Sequence, residues 1–169
     1  MADIGIFYGS TGGHTEKAAK AIAKALEGKH EILISSVAGL SVDDLLARDN
    51  LILGSSTWGN GELQTDWREI YSEMDEADFA DKIVALFGTG NSAKHGETFV
   101  SALGLLHDKL AARGAKVVGF TDAADYNFAS SPSMRDGKFV GLPLDETNEP
   151  NKTPERLRAW IAAIESSFK

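Results

Sequence analysis

The chain has 169 residues, 17 Lys and Arg against 25 Asp and Glu (a formal charge of −8), and no cysteine. Its length suits one domain spanning residues 1–169, and 43% hydrophobic with 25% charged residues is globular composition. Without cysteine there is no disulfide, iron–sulfur cluster, thiolate zinc site or cysteine nucleophile, and the acidic balance argues against nucleic acid and anionic membrane surfaces as partners. Any redox chemistry must then be carried by a bound group. No run reaches the roughly 18 apolar residues of a membrane span, and Met1-Ala2-Asp3-Ile4 lacks a basic, apolar leader, so a cytoplasmic protein is expected.

Residues 3–8 form a short apolar run that ends in Gly9-Ser10-Thr11-Gly12-Gly13. Ala18, Ile22, Ala25 and Leu26 then recur at helical spacing until Gly28. Residues 30–35 read as a strand, 43–47 as a short helix, and 51–53 as a buried strand running into Gly54. Residues 67–74 read as helix and 83–87 as a fourth apolar run, ending at Gly88-Thr89-Gly90. Phe99, Leu103, Leu106 and Leu110 mark one face of a helix that Gly114 closes, and residues 116–121 read as a fifth strand. Thr153 is expected as N-cap of a last helix, with Pro154 at its first position and Leu157, Trp160, Ile161 and Ile164 on its buried face. Strands that are continuous apolar runs, alternating with helices, specify an α/β fold: a parallel sheet covered on both faces. Residues 122–152 break the rhythm. They contain one strand-like run, 138–142, and are read as a fifth strand interrupted by an inserted excursion over residues 122–137.

In such a sheet ligands sit beyond the carboxyl ends of the strands. The first of these ends is a glycine-rich turn opening a helix, with the hydroxyls of Ser10, Thr11 and Thr15. That is an anion site, and a phosphate is its natural guest. It lacks the Gly-Lys-Ser/Thr ending of a triphosphate loop, and only His14 and Lys17 are nearby bases, so neutral donors do most of the work. The second, Ser55-Ser56-Thr57-Trp58-Gly59-Asn60-Gly61-Glu62, carries a tryptophan placed to stack on a flat aromatic ligand. The third, Gly88-Thr89-Gly90-Asn91-Ser92-Ala93, formally matches the dinucleotide pattern G-x-G-x-x-A. It follows the fourth strand and has no acid ending the next strand at the required spacing, so it serves better as a backbone wall beside a polar edge. A phosphorylated flat heterocycle satisfies all three loops, and FMN is the economical candidate.

These residues resemble a known family. Residues 9–16 (GSTGGHTE) are similar to the phosphate loop of flavodoxins, 57–63 (TWGNGEL) to their first flavin loop and 87–91 (FGTGN) to their second. Tyr126-Asn127-Phe128, residues 137–142 (GKFVGL) and Leu144-Asp145-Glu146 resemble the insertion of the long-chain members. The resemblance implies a flavodoxin-like, doubly wound five-stranded parallel sheet in order 2-1-3-4-5, with helices on both faces and an insertion in the last strand. It implies one non-covalent FMN cycling between semiquinone and hydroquinone, and a monomeric, low-potential one-electron carrier that is not an enzyme. Its partners would be basic redox proteins: a flavodoxin/ferredoxin reductase as donor and a low-potential acceptor such as nitrogenase reductase.

By the same resemblance, Ser10, Thr11, Gly12, Gly13, His14 and Thr15 would hold the phosphate, with Ser56 and Thr57 beside it. Trp58 would stack on the isoalloxazine, and the Gly59–Asn60 peptide, followed by Gly61, would face N5. Thr89, Gly90 and Asn91 would meet the pyrimidine edge, and Asp145, Glu146 and Thr147 would lie near the ribityl chain. Two positions depart from the family pattern: Gly12 stands where Thr is common, and His95 where a stacking Tyr is usual. His95 is expected over the outer flavin face, its protonation coupled to reduction. Acids at Glu62, Asp66, Glu69, Glu73, Asp75, Glu76, Asp78, Asp145, Glu146 and Glu149 are expected to steer a basic partner.

Three other classes share parts of this pattern. A response-regulator receiver needs acids where Tyr8-Gly9-Ser10 and Gly54-Ser55-Ser56 stand, and is excluded. A protein-binding module would be colourless. An FMN-dependent NAD(P)H or quinone reductase on the same fold is the enzyme alternative.

Overall fold

The structure is a computed structural model. It describes residues 1–58, 61–93, 99–128 and 131–169, with Trp58 described by its backbone alone. In chain order the elements begin with β1 (Asp3–Gly9), α1 (His14–Leu26), β2 (Glu31–Ser36), α2 (Val42–Leu46) and β3 (Asn50–Trp58). They continue with β4 (Glu62–Leu63), α3 (Trp67–Glu73), β5 (Ile83–Thr89), α4 (Ser101–Ala112), β6 (Lys116–Val118) and β7 (Thr121–Asp122). The last are β8 (Met134–Arg135), β9 (Lys138–Phe139), β10 (Leu142–Leu144) and α5 (Thr153–Ile164).

The main sheet runs β2-β1-β3-β5, all parallel, and two strands share its fifth position. β6 pairs with Ile83–Ala85 at the start of β5, and β10 pairs with Phe87–Thr89 at its end. The expected order 2-1-3-4-5 therefore holds, with the fifth strand split by the insertion. The split begins earlier than the expected residue 122. Gly119 turns the chain out of the sheet at φ 82°, and its carbonyl accepts from Trp160 Nε1 at 2.8 Å. Residues 138–142 are likewise not one strand. β9 lies antiparallel between β7 and β8 in a small separate sheet, and only β10 returns to β5.

The continuous apolar runs are explained by two cores, one on each face. Ile4, Ile6, Ile52, Ala85 and Phe87 pack under α1 and α5. Phe7, Leu51, Leu53, Val84 and Leu86 pack under α3 and α4, with Trp67, Leu103 and Leu106. Because strand side chains alternate faces, a strand buried on both must be apolar at every position. Ala25, expected on the buried face of α1, is exposed, and Ala19 takes that place. Lys152, not Thr153, is the N-cap of α5, because a 3-10 turn (Pro150–Lys152) runs straight into the helix. The Thr153 hydroxyl bonds the Glu146 carboxylate instead.

The insertion has its own small core. Phe139 sits 5.9, 5.2 and 5.0 Å from the rings of Phe99, Tyr126 and Phe128. Ser131 and Ser133 donate to the carbonyls of Phe99 and Val100 at 2.5 and 2.6 Å, and Arg135 forks onto Asp108 of α4 at 2.8 Å. Val100 is held at φ 49°. The excursion thus braces the start of α4. Among the described residues no helix is long and apolar enough to cross a membrane.

Candidate functional site

The carboxyl ends of β1, β3 and β5 converge on a cleft of about 160 Å³. From the first loop it takes Ser10, Thr11, Gly12, His14 and Thr15. Ser56 and Thr57 come from the end of β3, and Thr89 and Gly90 from the end of β5. Thr147, which the resemblance places beside Asp145 and Glu146 near the ribityl chain, closes the side after β10. Residues as distant in the chain as Ser10 and Thr147 meet here because parallel strands all point their carboxyl ends one way.

The first loop is shaped by its own hydrogen bonds. Ser10 Oγ accepts from Gly13 N at 3.2 Å, and Gly13 adopts φ 88° as the N-cap of α1. No side chain caps that helix, so its first N–H groups face the loop with the positive end of a 13-residue helix behind them. The hydroxyls are organised as donors. Thr57 Oγ1 accepts from Ala102 N at 3.1 Å, which directs its own hydrogen elsewhere. Thr15 and Thr89 share one hydrogen bond at 2.8 Å, leaving one O–H of the pair for a third acceptor. Ser56 Oγ is buried with no partner among the described residues. A buried hydroxyl costs about 1–3 kcal/mol when unsatisfied, so this one fits an acceptor supplied from outside the chain. Among the described residues, His14 is the only titratable side chain lining the cleft. Neutral donors around a helix start suit an anion that need not be paired with a cation.

The third loop is locked from below. Asp145 is fully buried, and its carboxylate accepts from Ser92 N at 3.0 Å, Ser92 Oγ at 2.5 Å and Asn148 N at 3.0 Å. Asn148 Nδ2 reaches both carboxylate oxygens and also donates to Asn91 Oδ1 at 2.8 Å. Burial alone would raise the Asp145 carboxyl, but the donors of Ser92 and Asn148 outweigh it and hold it below its usual range. Gly90 N is spent on Leu144 O at 3.1 Å. Asp145 does not join the expected acidic docking face: it is buried beneath the loop, with its oxygens occupied by protein donors.

Of the remaining expected site residues, Gly13 and Gly61 are described with positive φ, and neither lines the cleft. The Trp58 ring, Gly59, Asn60 and His95 lie outside the described residues. Of the expected docking acids, Glu62, Glu69, Glu73, Asp75, Glu76 and Asp78 are exposed. Glu62 pairs with Arg68, Asp75 with Lys109, and Glu149 is drawn inward onto Arg156 and Lys152.

The family model for flavodoxin matches residues 6–160. The chain belongs to the flavodoxin family. It is 48% identical to flavodoxin 1 of Azotobacter vinelandii over 171 aligned positions, covering 99% of this chain and 98% of the relative. It is 43% identical to the flavodoxin of Klebsiella pneumoniae, covering 97% and 93% of the two chains. Among solved structures, Fusobacterium nucleatum flavodoxin bound to flavin mononucleotide superposes with a TM-score of 0.95 at 36% identity, over 100% of both chains. The flavodoxin reading agrees with the split fifth strand and with a hydroxyl-lined cleft at the first helix.

Two residues that brace the loops of this cleft carried no motif, Gln64 and Asn148, and Ser92 stood in the third loop with no role of its own. Asp145 offered a weak signal, an acid directly after the apolar strand end Leu142-Pro143-Leu144.

Proposed function

We propose that residues 1–169 form a single FMN-binding domain that carries one electron at a time between redox proteins, acting as a monomer and not as an enzyme. The observation that carries this reading is the cleft at the start of α1, where hydroxyl donors converge and Ser56 Oγ lacks a partner among the described residues. Ser10, Thr11, Gly12, Gly13, His14 and Thr15 would hold the phosphate, helped by Ser56 and Thr57. Trp58, Gly59, Asn60, Gly61, Thr89, Gly90, Asn91 and His95 would surround the ring. FMN, when bound, supplies a ring that accepts and releases single electrons.

The chain's own residues supply binding and bias. The α1 terminus and the oriented hydroxyls neutralise a phosphate without a lysine. Asp145 acts from beneath, fixing Ser92 and Asn148 and through them the third loop. The formal charge of −8 makes each added electron costlier, an effect that salt weakens. Exposed Glu69, Glu73 and Glu76 beside α3 fit a basic partner surface, as a reductase donor and a low-potential acceptor would present.

An absorbance-monitored reductive titration of the purified protein tests this. The expected result is a yellow protein that releases FMN on denaturation and is reduced in two separated one-electron steps. A colourless protein overturns the reading. Rapid reduction by NADPH alone, without a reductase, favours the FMN-dependent reductase instead.

A further inference from the structure

Gln64 lies in the turn between β4 and α3 and is only 3% exposed. Every polar atom of its side chain is engaged. Oε1 accepts from Asp66 N at 2.9 Å, while Nε2 donates to Asp66 Oδ2 at 2.9 Å and to Thr11 Oγ1 at 3.1 Å. Its backbone N–H donates to Ser55 Oγ at 3.2 Å, tying the same residue to β3. A backbone N–H has only a hydrogen to offer, so the Asp66 N–H fixes the amide: the oxygen faces Asp66 N and the NH2 group faces Thr11. The fold makes room for this strut at Gly9, where a Cβ would stand 2.4 Å from Gln64 Oε1 and 2.6 Å from Trp67 Cδ1.

Polarity then passes along the chain of bonds. Thr11 Oγ1 accepts from Gln64, which has no lone pair to offer in return. The single Thr11 hydrogen is left for an acceptor in the cleft that Thr11 lines. We propose that Gln64 is a positioning residue for phosphate: it holds the Thr11 hydroxyl as a donor and so biases the cleft toward a phosphorylated flavin over the unphosphorylated one. This rests on the FMN reading above.

The test compares FMN with riboflavin, which lacks only the phosphate, by fluorescence titration of the flavin-free full chain. Gln64→Met keeps the volume and removes the donor. Its FMN affinity is expected to fall about tenfold, the scale of one hydrogen bond to a charged group, with riboflavin affinity unchanged. Thr11→Val should show the same selective loss, and the double variant Gln64→Met with Thr11→Val no further loss. Gln64→Glu, which turns Thr11 into a donor toward the protein, should lose FMN selectively as well. Equal loss of both flavins in Gln64→Met and Gln64→Glu would mean a merely structural role and overturn the inference, as would unchanged FMN affinity in either. Should neither Gln64 variant fold by circular dichroism, a Thr11→Val chain with unaltered FMN-to-riboflavin preference overturns it. A wild-type chain that binds neither flavin overturns the FMN reading itself, a result distinguishable from all of these.

Discussion

Replacing Asp145 by Asn changes one atom and removes one charge, and the geometry makes it costly. Each carboxylate oxygen faces a backbone N–H: Oδ2 accepts from Ser92 N and Oδ1 from Asn148 N, both at 3.0 Å. An amide has one oxygen, so either orientation sets its NH2 against a backbone N–H that cannot turn. The Ser92 hydroxyl at 2.5 Å and the Asn148 amide lose a charged acceptor at the same time. One buried donor left unsatisfied and several charge-assisted bonds weakened amount to about 2–4 kcal/mol. At about 2–4 °C per kcal/mol for a domain of this size, melting should fall by roughly 5–15 °C. Urea denaturation of the flavin-free chain, read by circular dichroism, measures it directly. The folded carboxyl sits below its ordinary range. Its stabilisation is therefore complete above the unfolded pKa and is lost as pH falls through the folded one, so the gap between wild type and variant narrows in acid. A gap within about 0.5 kcal/mol at neutral pH, the usual scale of a surface substitution, would refute the reasoning.

Gly141→Ala would set a Cβ 2.3 Å from the Leu86 carbonyl oxygen, a backbone atom that cannot move without parting β10 from β5. A loss of about 3 kcal/mol in thermal unfolding is expected. Asn50, buried at the start of β3, bonds the Asp3 carbonyl and both backbone polar groups of Lys169. Asn50→Ala should cost about 1–3 kcal/mol and speed hydrogen exchange across residues 165–169. Reversing the exposed acids with Glu69→Lys and Glu73→Lys should slow electron transfer to a basic haem protein at low salt. The difference should shrink at high ionic strength in stopped-flow traces.

Much of this protein follows from local rules. Glycine-rich turns at strand ends, apolar runs buried on both sides and helical spacing of Ile22, Leu26, Leu103 and Leu110 depend on residues close in sequence. They suffice for the order of elements, for the sheet and for a cleft at its carboxyl edge. The missing helix signal after residue 122 pointed to the insertion, whose split strand the structure bears out. Gln64, Ser92 and Asn148 could not be found that way. A polar residue in a loop looks the same whether it faces water or supports a distant hydroxyl, and Gln64 reaches Thr11 across 53 positions. Asp145 likewise read as an acid beside the ligand and on the docking face, and its role as a buried acceptor for Ser92, 53 positions away, needed the fold. Charge and pattern are properties of the sequence. Which carboxylate is buried, and which hydroxyl is turned into a donor, are decided only when packing removes water and leaves each polar atom a particular neighbour.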